Sequence, residues 1–376
     1  MKSLDKNFRH LSREDKLKQL VDYGWLDKTN YQTLLSNPVI DEEVANSLIE
    51  NVIGQGTLPV GLLPKIIVDE KEYVVPMMVE EPSVVAAASY GAKLVNQTGG
   101  FKTIKSERLM IGQIVFDDVK DTEDLTQRIQ KQENQIKRIA DEAYPSIIRR
   151  GGGYRGIDID AFPNEQLLSL KVFVDTKDAM GANMLNTILE AVTAYLKKEL
   201  TDQEILMSIL SNHATSSVVR VEGEIDINDL NRGDYSGEEV AKRMERASVL
   251  AQVDIHRAAT HNKGVMNGIH AVVLATGNDT RGAEASAHAY AARDGQYRGM
   301  ATWKYDKARG RIVGIIEVPM TLAIVGGGTK VLPIAKASLD LLNVESAREL
   351  GHVVAAVGLA QNFSACLLYT SDAADD

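Results

Sequence analysis

Cysteine is almost missing from this chain of 376 residues, and Cys366 stands alone. A disulfide within one chain and a metal site built from thiolates are therefore excluded, and the composition fits a reducing compartment. An excess of positive charge is missing as well. The formal net charge is −10, which argues against a nucleic-acid partner, because phosphates dock on a basic face. An anionic small ligand stays possible, since a local cluster of lysine and arginine overrides the global sign. Long apolar runs are also lacking. The N-terminus MKSLDKNFRH is polar and has no apolar core, so no signal peptide is expected. No uninterrupted apolar stretch of about 20 residues is found, so no membrane span is expected and a cytoplasmic setting is. Internal repeats and low-complexity tracts are absent too.

What is present is ordinary for a globular chain: 44% hydrophobic and 25% charged residues. The length suits two or three domains. Residues 12–50 read as short helices, with Ser12 capping one and Asp41-Glu42-Glu43 opening another. Residues 58–79 alternate Pro and Gly breaks with β-branched runs, which is a strand pattern. Pro82 to Val95 is Ala-rich and predicts a helix. Residues 108–120 and 167–176 read as strands around a charged helical stretch, Asp121 to Glu142. Asp178 to Glu199 predicts a second helix. With a further strand from Ser217 to Ile225, this region forms an α+β unit. Gly237 to His261 is helical, Ala271 to Leu274 reads as a short buried strand, and Arg281 to Arg293 as a helix. Ile312 to Val325 reads as strands ending in glycines, and 333–364 as helical.

Several segments carry candidate chemistry, each with a plainer reading beside it. Gly151-Gly152-Gly153-Tyr154-Arg155-Gly156 matches G-x-G-x-x-G, but the strand before and helix after that a dinucleotide fingerprint needs are not evident. A glycine-rich loop is the better reading. At Asp178-Ala179-Met180-Gly181-Ala182-Asn183, Asp178 caps a helix whose glycine permits close backbone approach and whose free amides attract phosphate. A capped helix with a packing glycine explains the same string. Glu80-Glu81-Pro82-Ser83 places two carboxylates before an apolar helix. They either complement the helix dipole or supply a carboxyl in an apolar setting that donates a proton. Arg257 to Gly268 gathers Arg, His, Lys and Asn among glycines and reads as a binding loop. Lys263 would stabilise an oxyanion, with Asp279 of the following Gly277-Asn278-Asp279 to orient it. A polar turn with a surface ion pair is the alternative. Val325-Gly326-Gly327-Gly328-Thr329-Lys330 lacks P-loop spacing and reads as a tight turn after a strand.

In combination and in this order, the strings resemble the class II (bacterial-type) HMG-CoA reductases. The matches are Glu50-Asn51-Val52-Ile53-Gly54, Val79 to Ser89, Asp178 to Asn183, Thr260 to Gly268, Thr276 to Asp279 and Val325 to Lys330, within a resemblance running from about Phe8 to about Ala365. The resemblance implies an NAD(P)H-dependent oxidoreductase of the mevalonate pathway. It would reduce 3-hydroxy-3-methylglutaryl-CoA to mevalonate and CoA in two hydride steps, or run in reverse. It implies an α+β fold: a large mixed α/β domain for substrate binding and dimerisation (1–107 and 216–365), interrupted by a small ferredoxin-like cofactor-binding domain (108–215).

Position by position, the resemblance implies that Glu81, Lys263 and Asp279 are catalytic, with Asp279 hydrogen-bonded to the lysine. Ser83, Arg257 and Asn267 hold the substrate's carboxylate and carbonyl, and Arg9 lies near CoA. Asp178, Met180, Gly181, Ala182, Asn183 and Asn212 bind the dinucleotide. NADPH is favoured over NADH, because Tyr144 stands where NADH-using members carry an acid and Arg149-Arg150 follow. No metal is expected. Self-association as a dimer, or as dimers grouped into a hexamer, is implied.

The family continues past a helix like Ala356 to Asn362 into a Gly-His segment and a mobile flap. Here the chain reads Cys366-Leu367-Leu368-Tyr369-Thr370-Ser371-Asp372-Ala373-Ala374-Asp375-Asp376. The expectation is a non-native tail over 366–376, resembling translated library adapter, with the C-terminal flap domain absent and turnover impaired. Gly351-His352 precedes the Gly358 segment and is read as a structural or surface histidine. A non-catalytic, ligand-binding or assembly remnant of the same family is the competing expectation. Another nicotinamide-dependent acyl-CoA reductase is a further one, opposed by Glu80-Glu81-Pro82-Ser83 and His261-Asn262-Lys263-Gly264.

Overall fold

The computed structural model describes residues 8–36 and 40–370, the side chains of Arg9, Lys330 and Tyr369 excepted. Ser12 opens the first helix as expected: its hydroxyl accepts the Asp15 amide at 3.1 Å, and Glu14 and Asp15 fill the first turn. Helices α1 (Arg13–Asp22), α2 (Lys28–Ser36) and α3 (Glu42–Leu48) lead to a hairpin of β1 (Val60–Val68) and β2 (Lys71–Met78). Helix α4 (Val84–Gln97), strand β3 (Lys102–Ser106) and strand β4 (Met110–Asp117) follow. Next come α5 (Thr122–Lys131), α6 (Glu133–Ala143), α7 (Pro145–Arg149), β5 (Gly153–Phe162), β6 (Leu167–Asp175), α8 (Ala182–Glu199), β7 (Glu204–Ser211) and β8 (Val218–Asp226). The chain continues through α9 (Gly237–Val253), α10 (Ile255–Ala275), α11 (Thr280–Ala291), β9 (Ala301–Asp306), β10 (Arg311–Pro319), α12 (Gly328–Val331), α13 (Pro333–Leu342) and α14 (Ala347–Thr370).

The chain divides into two compact units. The smaller comprises Glu107–Val218 with Pro319–Thr321. Its antiparallel sheet has the order β5-β6-β4-β7. Alternation puts Ile114 and Phe116 of β4 and Leu168, Leu170, Val172 and Val174 of β6 on one face. There they pack with Leu125 and Ile129 of α5, Ile136 of α6, and Leu185, Ile188 and Val192 of α8. Gly112 is the point of closest approach, since a Cβ there would lie 2.6 Å from Leu189 Cδ1.

The larger unit comprises Met1–Ser106, Val219–Val318 and Leu322–Asp376. It holds the β1–β2 hairpin and a second sheet of order β3-β8-β10-β9. At its centre, α10 packs on α14 through small residues. A Cβ at Gly264 would stand 3.1 Å from Ala365 Cβ, and one at Gly268 2.9 Å from both Gln361 Cβ and Val357 O. Residues Ala347–Leu368 of α14 are long and apolar enough to cross a membrane, although 83% of that window is buried inside the protein. A core helix passes the same test as a membrane span.

Four expectations need correction. The strand from Ser217 to Ile225 becomes β8, but it pairs with β3 in the larger unit's sheet, and the small sheet takes β5 and β7 instead. Ala271 to Leu274 is no strand; it is the last part of α10. Arg257 to Gly268 is no loop either, because it forms the first two-thirds of that helix. Asp178 does not cap α8. The N-cap is Gly181, at φ +88°, and its side-chain-free backbone leaves the first turn without a side-chain cap. Residues Cys366–Thr370 continue α14, with Cys366 and Leu367 buried, and 371–376 lie outside the described residues.

Candidate active site

Two segments 182 residues apart meet at a lysine. Helix α10 presents Lys263 and Asn267 one turn apart on one face, as i,i+4 spacing requires. The turn before α4 presents Glu81. Lys263 Nζ donates to Glu81 Oε1 at 2.7 Å and to Oε2 at 2.6 Å. The Asn267 carboxamide, turned so that both its ends are satisfied, accepts from Lys263 Nζ at 3.1 Å. The lysine ammonium thus stands between a carboxylate and an amide oxygen while 58% of its side chain faces solvent. Glu81 is 44% exposed, so its surroundings are an ammonium and water and not the apolar setting expected from its neighbours.

Ser83 follows Glu81 at the N-cap of α4 with φ +69°, a left-handed conformation costly for any residue with a Cβ, and its hydroxyl makes no capping bond. The strain turns the chain sharply between the carboxylate and the helix. Asp279 lies at the start of α11, where its Oδ1 accepts the Gly282 amide at 3.0 Å. No Lys263–Asp279 hydrogen bond is formed among the described residues, which departs from the implied pairing. Arg257 sits half-buried on the first turn of α10. The side chain of Arg9 lies outside the described residues.

His261, next but one to Lys263, points the other way. It is 1% exposed, and its Nε2–H donates to the Ala301 carbonyl at 2.9 Å. Burial drives its imidazole down to about 4, with the nearby Arg257 charge acting in the same sense. Asn262 and Asn362 complete this inner side. Asn262 Oδ1 accepts the Met300 amide at 2.7 Å and its Nδ2 donates to Arg298 O at 2.8 Å. Asn362 Oδ1 accepts Trp303 Nε1–H at 2.8 Å, and its Nδ2 donates to His261 O at 3.2 Å.

Sequence reasoning missed Asn278. Its carboxamide accepts the Ala323 amide at 2.7 Å and donates to the Ala323 carbonyl at 3.1 Å, a two-bond clamp on the loop after β10. Beside it Gly277 (φ +67°) lies against Gly328, where a Cβ would stand 3.2 Å from the Gly328 carbonyl carbon. The Thr276–Asp279 and triple-glycine strings are therefore two sides of one contact, for which only glycine leaves room.

In the smaller unit, Asp178, Met180, Gly181, Ala182 and Asn183 form the turn into α8, and Asn212 is exposed just after β7. Arg108, also missed, holds that turn from below. Its guanidinium is buried and donates to Lys177 O at 2.7 Å and to Ala179 O at 2.9 Å. A Cβ at Gly181 would lie 2.7 Å from Thr176 Cβ. The Gly151–Gly153 turn runs from α7 into β5, the reverse of the strand-to-helix order of a dinucleotide fingerprint. Arg155 closes it by donating to Gly151 O at 2.7 Å and Gly152 O at 3.1 Å.

Fold and site together define a class: a two-unit α+β enzyme whose larger unit gathers an ammonium, a carboxylate and a carboxamide at one point, a set chemically able to stabilise an oxygen that gains negative charge. The comparisons narrow it. The hydroxymethylglutaryl-coenzyme A reductase family model matches residues 12–372. The 3-hydroxy-3-methylglutaryl-coenzyme A reductase of Archaeoglobus fulgidus is 40% identical over 97% of this chain and 82% of its own length. A solved structure of the enzyme from Streptococcus pneumoniae superposes with a TM-score of 0.94 at 42% identity, covering 97% of this chain and 87% of that one. Another, described as the class II enzyme bound to NADPH in open conformations, gives 0.93 at 42% identity and covers 97% and 99%. The chain belongs to the hydroxymethylglutaryl-coenzyme A reductase family, in its class II branch.

Proposed function

We propose that this chain reduces 3-hydroxy-3-methylglutaryl-CoA to mevalonate and CoA with NADPH, at a site built around Lys263. The observation that carries the reading is the Lys263–Glu81–Asn267 cluster, which joins two distant segments at one ammonium. As a thioester or aldehyde carbonyl is reduced, charge develops on its oxygen. A fixed ammonium stabilises that oxygen more than it stabilises the ground-state carbonyl. Glu81, hydrogen-bonded to the ammonium, holds it in place and exchanges a proton with the nascent alcohol. Asn267 orients the ammonium from the next turn. Arg257 suits the substrate's free carboxylate, which a guanidinium grips through two parallel bonds, and Ser83 adds a hydroxyl. Asp279, at the N-cap of α11, is the acid that the family resemblance pairs with the lysine.

The nicotinamide coenzyme, when bound, supplies hydride. The turn at Asp178–Asn183 fits its pyrophosphate: the first amides of an 18-residue helix are available there, and no Cβ stands at Gly181. For the 2′-phosphate, Arg149 lines a groove of about 630 Å³ together with Lys137 and Arg138 of α6. Tyr144 in place of an acid, with Arg149 and Arg150 following, supports NADPH over NADH. Self-association is supported by an exposed apolar group at the α9–α10 junction, made of Val249, Leu250, Val253 and Ile255.

The test is NADPH oxidation by the purified chain with either the acyl-CoA or mevaldehyde, with mevalonate identified by mass spectrometry. Mevalonate formed by the chain and lost in Lys263→Met supports the proposal. Binding of both ligands without product from either substrate overturns it.

A further inference from the structure

A second set of chemistry-bearing side chains shares no residue with the Lys263 site. Residues Asp69 and Glu70 form the two-residue tip of the β1–β2 hairpin, with φ of +50° and +66°. Both positive values mark a type I′ turn, a conformation that asparagine, aspartate and glycine tolerate best. The tip carries the Asp69 carboxylate to β3. Its Oδ1 accepts the Thr103 amide and its Oδ2 the Thr103 hydroxyl, each at 2.7 Å. From α14, His352 reaches the same place. Its Nδ1 lies 3.2 Å from Asp69 Oδ2 and its Nε2 lies 2.8 Å from Ser106 Oγ at the end of β3. Arg348, one turn earlier on α14, donates to the Ser106 carbonyl at 3.0 Å. A cationic donor therefore stands beside the hydroxyl.

The two imidazole contacts dictate one tautomer. An Nδ1–H donates to the aspartate, which leaves Nε2 as the acceptor for the serine proton. That is the order serine, imidazole, carboxylate by which acyl-transfer nucleophiles are recognised, independent of fold. Desolvation works to raise Asp69, but the bonds from His352 and Thr103 prevail and keep its carboxyl below the usual range. The carboxylate is therefore ionised when the imidazole needs it. The imidazole is 17% exposed and the carboxylate 42%, so a small solvent-borne molecule reaches the group.

We propose that Ser106, His352 and Asp69 form a second nucleophilic centre that reacts with small carboxylic esters. Ser106 Oγ bonds to the ester carbonyl carbon as its proton passes to His352 Nε2. The carbon–oxygen bond to the leaving alcohol breaks as that proton is returned to it. Water, activated by the same imidazole, then releases the carboxylic acid and regenerates the hydroxyl. No oxidant, reductant or metal enters the balance.

The test uses the full chain with a fluorophosphonate probe, which traps activated serines, followed by intact mass and peptide mapping. One adduct on Ser106 is expected, absent from Ser106→Ala. Its rate should fall on the order of 100-fold in His352→Gln, the loss typical of a removed general base, and also fall in Asp69→Asn. If His352→Gln does not fold, Asp69→Asn at the exposed hairpin tip decides, with circular dichroism confirming its fold. Absence of a Ser106 adduct in the unaltered chain, or equal labelling rates in the folded variants, overturns the proposal. Hydrolysis of p-nitrophenyl acetate above the Ser106→Ala background is the expected turnover readout, and no difference from that background counts against it.

Discussion

Replacing Lys263 by Met separates what the Lys263–Glu81 pair does for the fold from what it does for the reaction. The pair is short, at 2.6 and 2.7 Å, yet the lysine is 58% and the glutamate 44% exposed. An exposed pair of this kind contributes about 0–1 kcal/mol to stability, because water and side-chain entropy offset most of the attraction. Methionine keeps the unbranched stem and its packing, so the urea midpoint should barely move. The rate should behave otherwise. Removing one preorganised donor from a developing oxyanion costs about 3–4 kcal/mol, roughly 100- to 1,000-fold in kcat. The assay is NADPH oxidation with mevaldehyde, whose reduction requires no thioester cleavage, run beside urea unfolding of the same preparations. A rate within tenfold of the parent would refute the assignment. So would a loss of stability large enough to account for the loss of rate.

Asp279 allows the same separation by two substitutions. Asp279→Asn retains an N-cap acceptor for Gly282 and should keep stability while losing rate, whereas Asp279→Ala should also lose about 1 kcal/mol in unfolding experiments. His261 makes stability depend on pH. Its folded-state value of about 4 lies below the ordinary 6.5, so the unfolded chain binds the extra proton. Stability is complete above 6.5 and falls as pH drops towards 4, by on the order of 3 kcal/mol. Urea midpoints measured across that window should show this slope, flattened in His261→Gln. Gly268→Ala would place a Cβ 2.9 Å from Gln361 Cβ and Val357 O. Overpacking of about 1–3 kcal/mol should outweigh a helix-propensity gain of about 1, lowering the urea midpoint.

Where local rules and burial agree, the elements were legible. The Ser12 cap, the strand pattern over 58–79, the Ala-rich α4 and the helix at α11 follow from capping chemistry, breaker residues and composition. The failures share a cause: residues whose roles are set by distant neighbours. Gly264 and Gly268 read as loop residues because glycine weakens an isolated helix. Inside α10 they are the positions where α14 comes closest. Ala271–Leu274 resembled a buried strand because a short apolar run has no period of its own. The unit to which β8 belongs is hidden because pairing with β3 across more than 100 residues leaves no local trace. Asp178 reads as a cap because aspartate commonly is one, but the turn is held instead by Arg108 from about 70 residues earlier. The Lys263–Glu81 contact was equally invisible to spacing. The family resemblance names both residues as catalytic but pairs the lysine with Asp279, so the contact itself comes from the structure.

The two faces of α10 explain how such a site survives on an exposed lysine. Lys263 and Asn267 are separated by one turn, and Gly264 and Gly268 repeat that spacing one residue on. The first pair faces outward because the second faces α14, where the close approach permits no side chain. A rotation by one position would bring Lys263 into the contact, against Ala365, and bury its charge. Asn262 resists the same rotation from the other flank through its bonds to Met300 and Arg298. Neither device involves Lys263 Nζ, and the ion pair itself adds little to stability. The position of the ammonium is therefore fixed by glycine packing and a buried carboxamide, so altering either should misplace Lys263 while leaving its partners Glu81 and Asn267 chemically intact.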